Sequence, residues 1–294
     1  MIGPTASGKS ALALELARQF ADVELLSGDS MQVYRGMDIG TAKPTPEERA
    51  EVPHHLLDLA DPTDLADEWN VVRWRAAADE AIAAIEARGH RALLVGGTGL
   101  YVQALVDRLD IPGQWPELRA ELEANGDTAA LHRYLTALDP VAAARVVAGN
   151  RRRIVRALEV TLGSGRPFSS FGPGLGAFPK TSWRLLGLWL PRPVVAARIT
   201  TRLQAMLDAG FVEEVRRLAA AGMSRTARQA LGYRELLAHV EHGAPLDACV
   251  EDAGRRTRAF ARRQRVWWRR DPRVQWFGAA EDPMTVLPAL LAAW

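Results

Sequence analysis

Residues 3–10 read Gly-Pro-Thr-Ala-Ser-Gly-Lys-Ser and form a complete phosphate-loop motif, G-x-x-x-x-G-K-[ST]. In such a loop the glycines let several backbone N–H groups point at one anion, the lysine adds a positive charge, and the last hydroxyl can bind Mg²⁺. An apolar helical pattern follows over residues 11–20, and the dipole of that helix favours the same anion. The expected phosphate contacts are Gly3, Pro4, Thr5, Ala6, Ser7, Gly8, Lys9 and Ser10, with Ser10 as the Mg²⁺ ligand.

Strands and helices alternate after this loop. Residues 23–27 and 91–95 read as apolar strands, and residues 70–88 between them repeat apolar side chains at helical spacing. This alternation predicts an α/β fold of the P-loop NTPase-like type, a parallel sheet flanked by helices, with the site at the carboxyl ends of the strands. Since only Met1 and Ile2 precede the loop, the first strand is predicted to be very short or incomplete.

The pattern becomes wholly helical from about residue 112. We predict an all-helical insertion domain over residues 112–165, with boundaries good to about 15 residues, and a catalytic core formed by residues 1–111 and 166–294. Glycine, proline and serine predict an exposed loop over residues 163–179. The core is expected to continue with a strand at 183–190 and helices at 193–209, 211–221, 232–240 and 246–270.

Composition excludes several classes of protein. The chain has 294 residues, of which 48% are hydrophobic, and a formal net charge of +2, so a sizeable core is expected and the overall charge points to no partner. No apolar stretch approaches the ~20 residues that cross a membrane, and no leader opens the chain, which favours a cytoplasmic protein without membrane contact. The single cysteine, Cys249, rules out a disulfide framework and a Cys-rich zinc site.

The end of the second strand bears on what the loop holds. Phosphate-loop enzymes usually bind Mg²⁺ with a further carboxylate after a later strand, but residues 93–95 run into glycines. This pattern favours a diphosphate that departs over a γ-phosphate that is transferred. Asp29, which follows the first apolar strand, is a candidate general base for an attacking amine or hydroxyl. A helix cap or a place in the Mg²⁺ shell is an equally good interpretation from the residues alone.

A basic helix near the C-terminus suggests the other substrate. Arg255, Arg258, Arg262, Arg265 and Arg269 recur at helical spacing, with aromatic residues interleaved. Arginines for phosphates and aromatics for bases are typical of RNA binding. A solvated basic face is the alternative, because only three of the 37 basic Lys and Arg residues are lysines and arginine is common throughout. A second basic cluster at residues 151–156 adds weight to a nucleic-acid substrate.

Three stretches resemble one known family. They are residues 3–10, residues 29–44 (DSMQVYRGMDIGTAKP) and residues 96–101 (GGTGLY). They are similar to tRNA dimethylallyltransferases, also called tRNA isopentenyltransferases. The single cysteine excludes the zinc finger of the eukaryotic members, so the bacterial type is expected. Shorter matches extend the resemblance over nearly the whole chain, at 139–145, 153–160, 210–216, 230–234 and 257–264.

The resemblance implies transfer of a dimethylallyl group from dimethylallyl diphosphate to N6 of adenosine 37 in the anticodon arm of tRNA, with Mg²⁺ as cofactor. It implies that Asp29 is the base and that Lys9, Ser10 and Arg216 hold the diphosphate. A monomer without an obligate protein partner is expected. The tRNA contacts expected from the resemblance and the arginine stripe are Asp29, Ser30, Met31, Gln32, Thr98, Arg119, Arg153, Arg156, Arg228, Gly232, Tyr233, Arg234, Arg258 and Arg262.

Three other functions are compatible with parts of this pattern. A nucleotide or small-molecule kinase would use the loop for ATP, but the glycine-ended strand lacks the usual Mg²⁺ carboxylate. A prenyltransferase acting on free adenine nucleotides would share the loop and Asp29, yet would not need the arginine-rich helix. A non-catalytic RNA-binding protein would not need Lys9, Ser10 and Asp29 together.

Overall fold

The computed structural model describes residues 1–65 and 69–294, and the chain forms two compact units. The larger unit comprises Met1–Val106 and Thr181–Trp294, and the smaller unit is Asp107–Lys180. The proposed helical insertion lies within the smaller unit. No helix among the described residues is long and apolar enough to cross a membrane.

The larger unit is built on parallel strands, as the alternating pattern predicts. The strands are β1 (Val23–Ser27), β2 (His54–His55), β3 (Arg91–Val95), β4 (Leu186–Trp189) and β5 (Gln275–Gly278). They pair in the orders β2-β1-β3 and β4-β5, and every pairing is parallel. The α/β class with a parallel sheet is therefore confirmed.

Ile2 connects the two sets of strands. It forms parallel bridges to Gly96 on one side and Gly187 on the other. Its N–H donates to the Leu186 carbonyl at 2.8 Å, and its carbonyl accepts from the Leu188 N–H at 2.9 Å. The very short first strand thus sits between β3 and β4, and the phosphate loop leaves from the middle of the sheet.

The described residues contain thirteen α-helices. Where the sequence predicts a helix, the observed helix begins and ends within a few residues of the predicted bounds. The helix predicted at 211–221 has these bounds in the structure. The helices are α1 (Lys9–Gln19), α2 (Pro46–Glu51), α3 (Val71–Ala87), α4 (Gly99–Val106), α5 (Pro116–Ala124), α6 (Thr128–Leu138), α7 (Pro140–Arg145), α8 (Arg151–Ser164), α9 (Arg192–Asp208), α10 (Phe211–Ala221), α11 (Tyr233–His242), α12 (Leu246–Trp268) and α13 (Leu287–Ala293).

Alternation along the strands builds a core on each face of the sheet. Leu25 and Leu93 belong to the cluster that packs α1, α9 and α13, whereas Leu26 and Leu94 belong to the cluster that packs α3, α4 and α10–α12. Successive side chains of a strand point to opposite faces of the sheet, so two adjacent leucines pack into the two different clusters. Helices therefore cover both faces of the sheet, and the edge at the carboxyl ends of the strands is where a site can form.

The smaller unit has its own core of α5, α6, α7 and α8, centred on Leu135, Ile154 and Leu158. Asp139 is 2% exposed and accepts from the Ala142 N–H at 2.9 Å and from the Ser169 N–H at 2.7 Å. The loop predicted for 163–179 is irregular over most of its length. It contains one 3₁₀ turn at Phe168–Ser170, which Asp139 holds.

Candidate active site

The phosphate loop forms a tight cradle between Ile2 and α1. Ala6 and Gly8 have positive φ angles of 60° and 87°, and α1 begins at Lys9. A Cβ on Gly8 would lie 2.3 Å from Pro283 Cγ. Glycine is therefore required at this position both by the left-handed backbone and by the packed proline.

Several donors in this cradle have no acceptor of their own. The first N–H groups of α1 lack intrahelical partners by geometry. Ser7 Oγ is buried and has no hydrogen-bond partner among residues 1–65 and 69–294. Ser10 is exposed at the first turn of α1. Unpaired donors converging beside a lysine are the arrangement that binds a phosphate anion.

Lys9 lies in an electrostatic cluster with two other side chains. Its Nζ is 3.4 Å from the Pro4 carbonyl oxygen. Burial lowers the pKa of Lys9 to about 8, the Asp29 carboxylate opposes this shift, and the Arg202 guanidinium adds to it. The two cations and one carboxylate are thus close enough to affect one another's charge.

Asp29 lies just beyond the carboxyl end of β1. Its Oδ1 accepts from the Met31 N–H at 2.8 Å, and its own N–H donates to Ser27 Oγ at 3.3 Å. The second carboxylate oxygen accepts no hydrogen bond within residues 1–65 and 69–294. The negative charge of Asp29 contributes, after burial and Tyr34, to a raised pKa for the Tyr101 phenol. One carboxylate oxygen is therefore held by the backbone while the other can face a substrate.

The Gly96–Gly99 turn closes against the Asp29 loop. A Cβ on Gly96 would stand 2.6 Å from the Gly28 carbonyl oxygen. Thr98 Oγ1 accepts from the Ser30 N–H at 3.4 Å. The structure therefore brings Asp29, Ser30 and Thr98 together at one edge of the sheet, as the sequence predicts.

Much of the stretch 29–44 anchors itself. Gln32 Oε1 accepts from Ser27 Oγ at 2.6 Å, and its Nε2 donates to the Thr41 and Ala42 carbonyls at 3.1 Å. The Lys43 side chain, 1% exposed, donates to the Tyr34 carbonyl and to Asp38 and Asp58. The side chain of Gln32 therefore braces this stretch internally, and Met31 is partly buried against the core. Their expected contacts with RNA stay predictions.

A second anchor reaches this stretch from α10. The Glu214 carboxylate accepts the N–H groups of Asp38, Ile39 and Gly40 at 2.9–3.1 Å, and it accepts the Tyr233 hydroxyl at 2.5 Å. Tyr233 is 0% exposed. The ring of Tyr233 therefore lies in the core with its hydroxyl engaged, and its expected contact with RNA stays a prediction.

The structure does not place Arg216 on the phosphate loop. Arg216 is exposed on α10, and its partner among the described residues is Glu213 on the same helix. Two arginines of α9 lie on the phosphate loop, where Arg216 was expected. Arg198 Nε donates to the Ala6 carbonyl at 3.0 Å, and Arg202 Nη2 donates to Thr5 Oγ1 at 2.8 Å. The sequence signal that could have identified them is their spacing of one helical turn, which places both arginines on one face of a predicted helix.

The remaining arginines fall into two groups. Arg234 is exposed at the start of α11, Arg228 pairs with Glu241 at 2.5 Å, and the backbone N–H of buried Gly232 donates to Glu235 at 2.8 Å. In the smaller unit Arg153 is exposed, whereas Arg119 and Arg156 face the buried Glu159 at 3.6 and 3.0 Å. Arg153 and Arg234 are thus exposed, and Arg234 donates one long hydrogen bond to Gln229 Oε1 at 3.4 Å. Arg119, Arg156 and Arg228 would have to exchange an ion pair before they could contact RNA.

A groove of about 280 Å³ runs between α9 and α12 beside Pro4 of the phosphate loop. Its floor is apolar and includes Val195, Ile199 and Ala261. Burial, together with Arg192 and Arg269, lowers the pKa of Arg265 on its rim, so the cations there repel one another. Such a groove fits an anion. The arginines that line it are Arg192, Arg258, Arg262 and Arg265.

Comparisons with known proteins identify the family of the chain. The IPP transferase family model matches residues 32–271. Proteins of Streptomyces avermitilis and Streptomyces coelicolor named tRNA dimethylallyltransferase are 46% and 47% identical to the chain, and each alignment covers 99% of this chain and 93% of the relative.

Solved structures give the same result. The full-length tRNA isopentenylpyrophosphate transferase of Bacillus halodurans is 34% identical with a TM-score of 0.71, covering 99% of this chain and 93% of its own. A eukaryotic dimethylallyltransferase acting on tRNA is 25% identical with a TM-score of 0.77, covering 99% and 76%. With its phosphate loop, Asp29 and near-complete alignment to these proteins, the chain belongs to the IPP transferase family.

Proposed function

We propose that this protein transfers a dimethylallyl group from dimethylallyl diphosphate to the N6 amine of adenosine 37 in tRNA and releases diphosphate. The observation that carries the proposal is the position of Asp29, a carboxylate within electrostatic reach of Lys9 and Arg202 at the phosphate loop. Membership of a family whose relatives are named tRNA dimethylallyltransferase supports it. Because the substrate is tRNA, the proposed location is the cytoplasm, and the proposed acting unit is a monomer.

The loop and α9 would bind the departing diphosphate. The N–H groups at the start of α1, Lys9 and the two α9 arginines present donors and positive charge to it. Among the described residues no group of three or more His, Cys, Asp or Glu side chains could hold a metal ion by itself. Ser10 therefore fits Mg²⁺ only together with water and diphosphate oxygens. When bound, Mg²⁺ would neutralise diphosphate charge.

The reaction then follows from these charges. The allylic C–O bond breaks and its electron pair leaves with the diphosphate, which Lys9, Arg198 and Arg202 stabilise. The N6 lone pair forms the new C–N bond, and the free oxygen of Asp29 accepts the proton that N6 loses. Adenine N6 is a weak nucleophile, so stabilising the leaving group is the main contribution, and each preorganised donor is worth about 10²–10³ in rate.

The adenine must leave its stack to reach Asp29, which costs a few kcal/mol. Arginines that bind the tRNA backbone would offset this cost. We assign this binding to Arg258 and Arg262 in the groove, to Arg153 and Arg234, and to the Asp29–Thr98 edge for the target nucleotide. The P-loop NTPase-like core would then serve a departing diphosphate, because β3 ends at Val95 and is followed by glycine instead of a Mg²⁺ carboxylate.

One assay tests the proposal against the alternatives. The protein is incubated with labelled dimethylallyl diphosphate and with tRNA, AMP or ATP in separate reactions. Label that enters tRNA supports the proposal, and label that enters AMP or ATP alone would favour a nucleotide prenyltransferase. Phosphorylated products with unlabelled tRNA would contradict the proposal and favour a kinase.

Charge reversal in the groove should weaken tRNA binding. The Arg262→Glu variant is expected to raise the KM for tRNA about tenfold and to reduce the slope of log affinity against log salt by about one. The KM for dimethylallyl diphosphate should stay within twofold. Steady-state kinetics and anisotropy titrations at several salt concentrations measure these quantities.

Arg263→Glu is the matched control, because Arg263 is the neighbouring exposed arginine and does not line the groove. Its KM for tRNA should change by less than threefold. If Arg262→Glu and Arg263→Glu raise the KM for tRNA equally, the effect comes from the overall charge of the protein, and the groove assignment is contradicted.

The lowered pKa of Lys9 predicts a pH dependence. Protonated Lys9 binds the diphosphate, so kcat/KM for dimethylallyl diphosphate should fall as pH rises through about 8, approaching tenfold per unit. The Lys9→Arg variant should lose this inflection, because arginine keeps its charge. A wild-type profile that stays flat to pH 9.5 would show that Lys9 does not govern donor binding.

A further inference from the structure

Gln264 connects the arginine-rich helix to the phosphate loop. It lies on α12 and is 6% exposed. Its Oε1 accepts the Thr5 N–H at 2.7 Å, a contact between residues 259 positions apart in the chain. A buried side-chain acceptor for a loop amide determines which way that amide points, because an unpaired buried N–H is costly.

The other end of the same amide lies against the Gly96–Gly99 turn. A Cβ on Gly97 would stand 2.3 Å from Gln264 Nε2 and 2.9 Å from the Gly3 carbonyl oxygen. The side chain of Gln264 is therefore wedged between the two glycine-rich loops that border the site. Within residues 1–65 and 69–294, Nε2 has no hydrogen-bond acceptor, so its two protons remain available.

Thr5 is held from two sides. Gln264 takes its N–H, while its hydroxyl accepts from Arg202 Nη2 at 2.8 Å. Rotation of the Thr5 peptide would break the first bond and displace the acceptor of the second. Gln264 thus stabilises both the curl of the loop and the position of Arg202 above it.

We propose that Gln264 is a positioning residue for the diphosphate site, acting through the Thr5 N–H on the phosphate loop and on Arg202. The inference rests on the proposed function, in which this loop holds the departing diphosphate. Gln264 makes the loop competent to bind an anion before the donor arrives. The buried carboxamide is neutral, so it orders the loop without adding a negative charge beside the phosphates.

Two substitutions separate this role from simple packing. Gln264→Leu keeps the approximate volume and removes the acceptor for Thr5. Gln264→Glu keeps an acceptor but, when ionised, places a negative charge beside the loop. A protonated glutamic acid reproduces the acceptor and donor of glutamine, so the Glu variant should approach wild-type behaviour at low pH and lose affinity as pH rises.

The experiment measures binding of inorganic diphosphate with Mg²⁺ to the full chain by calorimetry. Gln264→Leu should weaken binding about tenfold, which corresponds to ~1.4 kcal/mol, and tRNA affinity should stay within twofold. The affinity of Gln264→Glu relative to wild type should fall between pH 5 and pH 8. Cys249→Ala removes a buried side chain from the same helix, away from the loop, and should bind diphosphate like wild type.

Unchanged diphosphate affinity in Gln264→Leu would overturn the inference, as would an equal loss in Cys249→Ala. A ratio for Gln264→Glu that does not vary with pH would also contradict it. If the wild-type protein binds no diphosphate, the proposed function itself fails. The failures are therefore distinguishable.

Discussion

The Asp29→Asn variant is expected to lower kcat for prenyl transfer by about 10²–10⁴, the usual contribution of a general base. Asparagine retains an oxygen that can accept the Met31 N–H, so the loop should keep its conformation. It cannot take the N6 proton. Single-turnover transfer of labelled prenyl group to tRNA measures the loss.

The control measurement is the affinity of the variant for each substrate. Affinities of Asp29→Asn for tRNA and for inorganic diphosphate should stay within about threefold of wild type, because the contacts of the loop are preserved. Asp29→Ala, which also removes the Met31 bond, should be no more active than the asparagine variant. A kcat close to wild type with asparagine at this position would remove Asp29 from the role of base and favour a role in conformation.

The second large effect is expected at Arg202. Arg202→Met should lower kcat by about 10²–10³, because a buried donor beside the departing diphosphate is lost. Burial lowers the pKa of Arg202 and the Asp29 carboxylate opposes that shift, which indicates that the cation already lies in the site. Rapid-quench measurement of the chemical step distinguishes this effect from product release.

Arg216→Met supplies the matched comparison, since the resemblance implies Arg216 for this task and the structure places it on the surface beside Glu213. Its kcat should stay within twofold of wild type. A large loss at Arg216 together with normal chemistry at Arg202 would reverse the assignment and would require α10 to approach the loop when substrate binds.

The fold was predictable where the signals are local. Apolar runs ended by glycine identify the strands Val23–Ser27 and Arg91–Val95, and the structure has the same bounds. The pattern misses β2, which has two residues, and β5, which follows a proline turn, because neither is long enough to show a period. It also misses α4, since that helix begins at Gly99 of a turn.

The site was predictable to a similar extent. The phosphate loop, Asp29 and Thr98 are found because each follows a strand, and parallel strands bring their carboxyl ends together. Arg198 and Arg202 are missed because which face of α9 meets the loop depends on tertiary packing. The internal bonds of Gln32 and Tyr233 were not predictable, because a match to a family motif does not distinguish a side chain that braces the site from one that touches substrate.

The scarcity of lysine has a practical consequence. The Lys43 ammonium is enclosed by three oxygen acceptors and is out of reach of reagents, whereas Lys180 lies on the surface of the smaller unit. Lys9, with its pKa of about 8, is partly deprotonated and nucleophilic in mildly alkaline buffer. Among the three lysine side chains, Lys9 is therefore the one whose acylation we expect to be slowed by an anion bound in the cradle, with the shielded Lys43 and the open Lys180 as internal references.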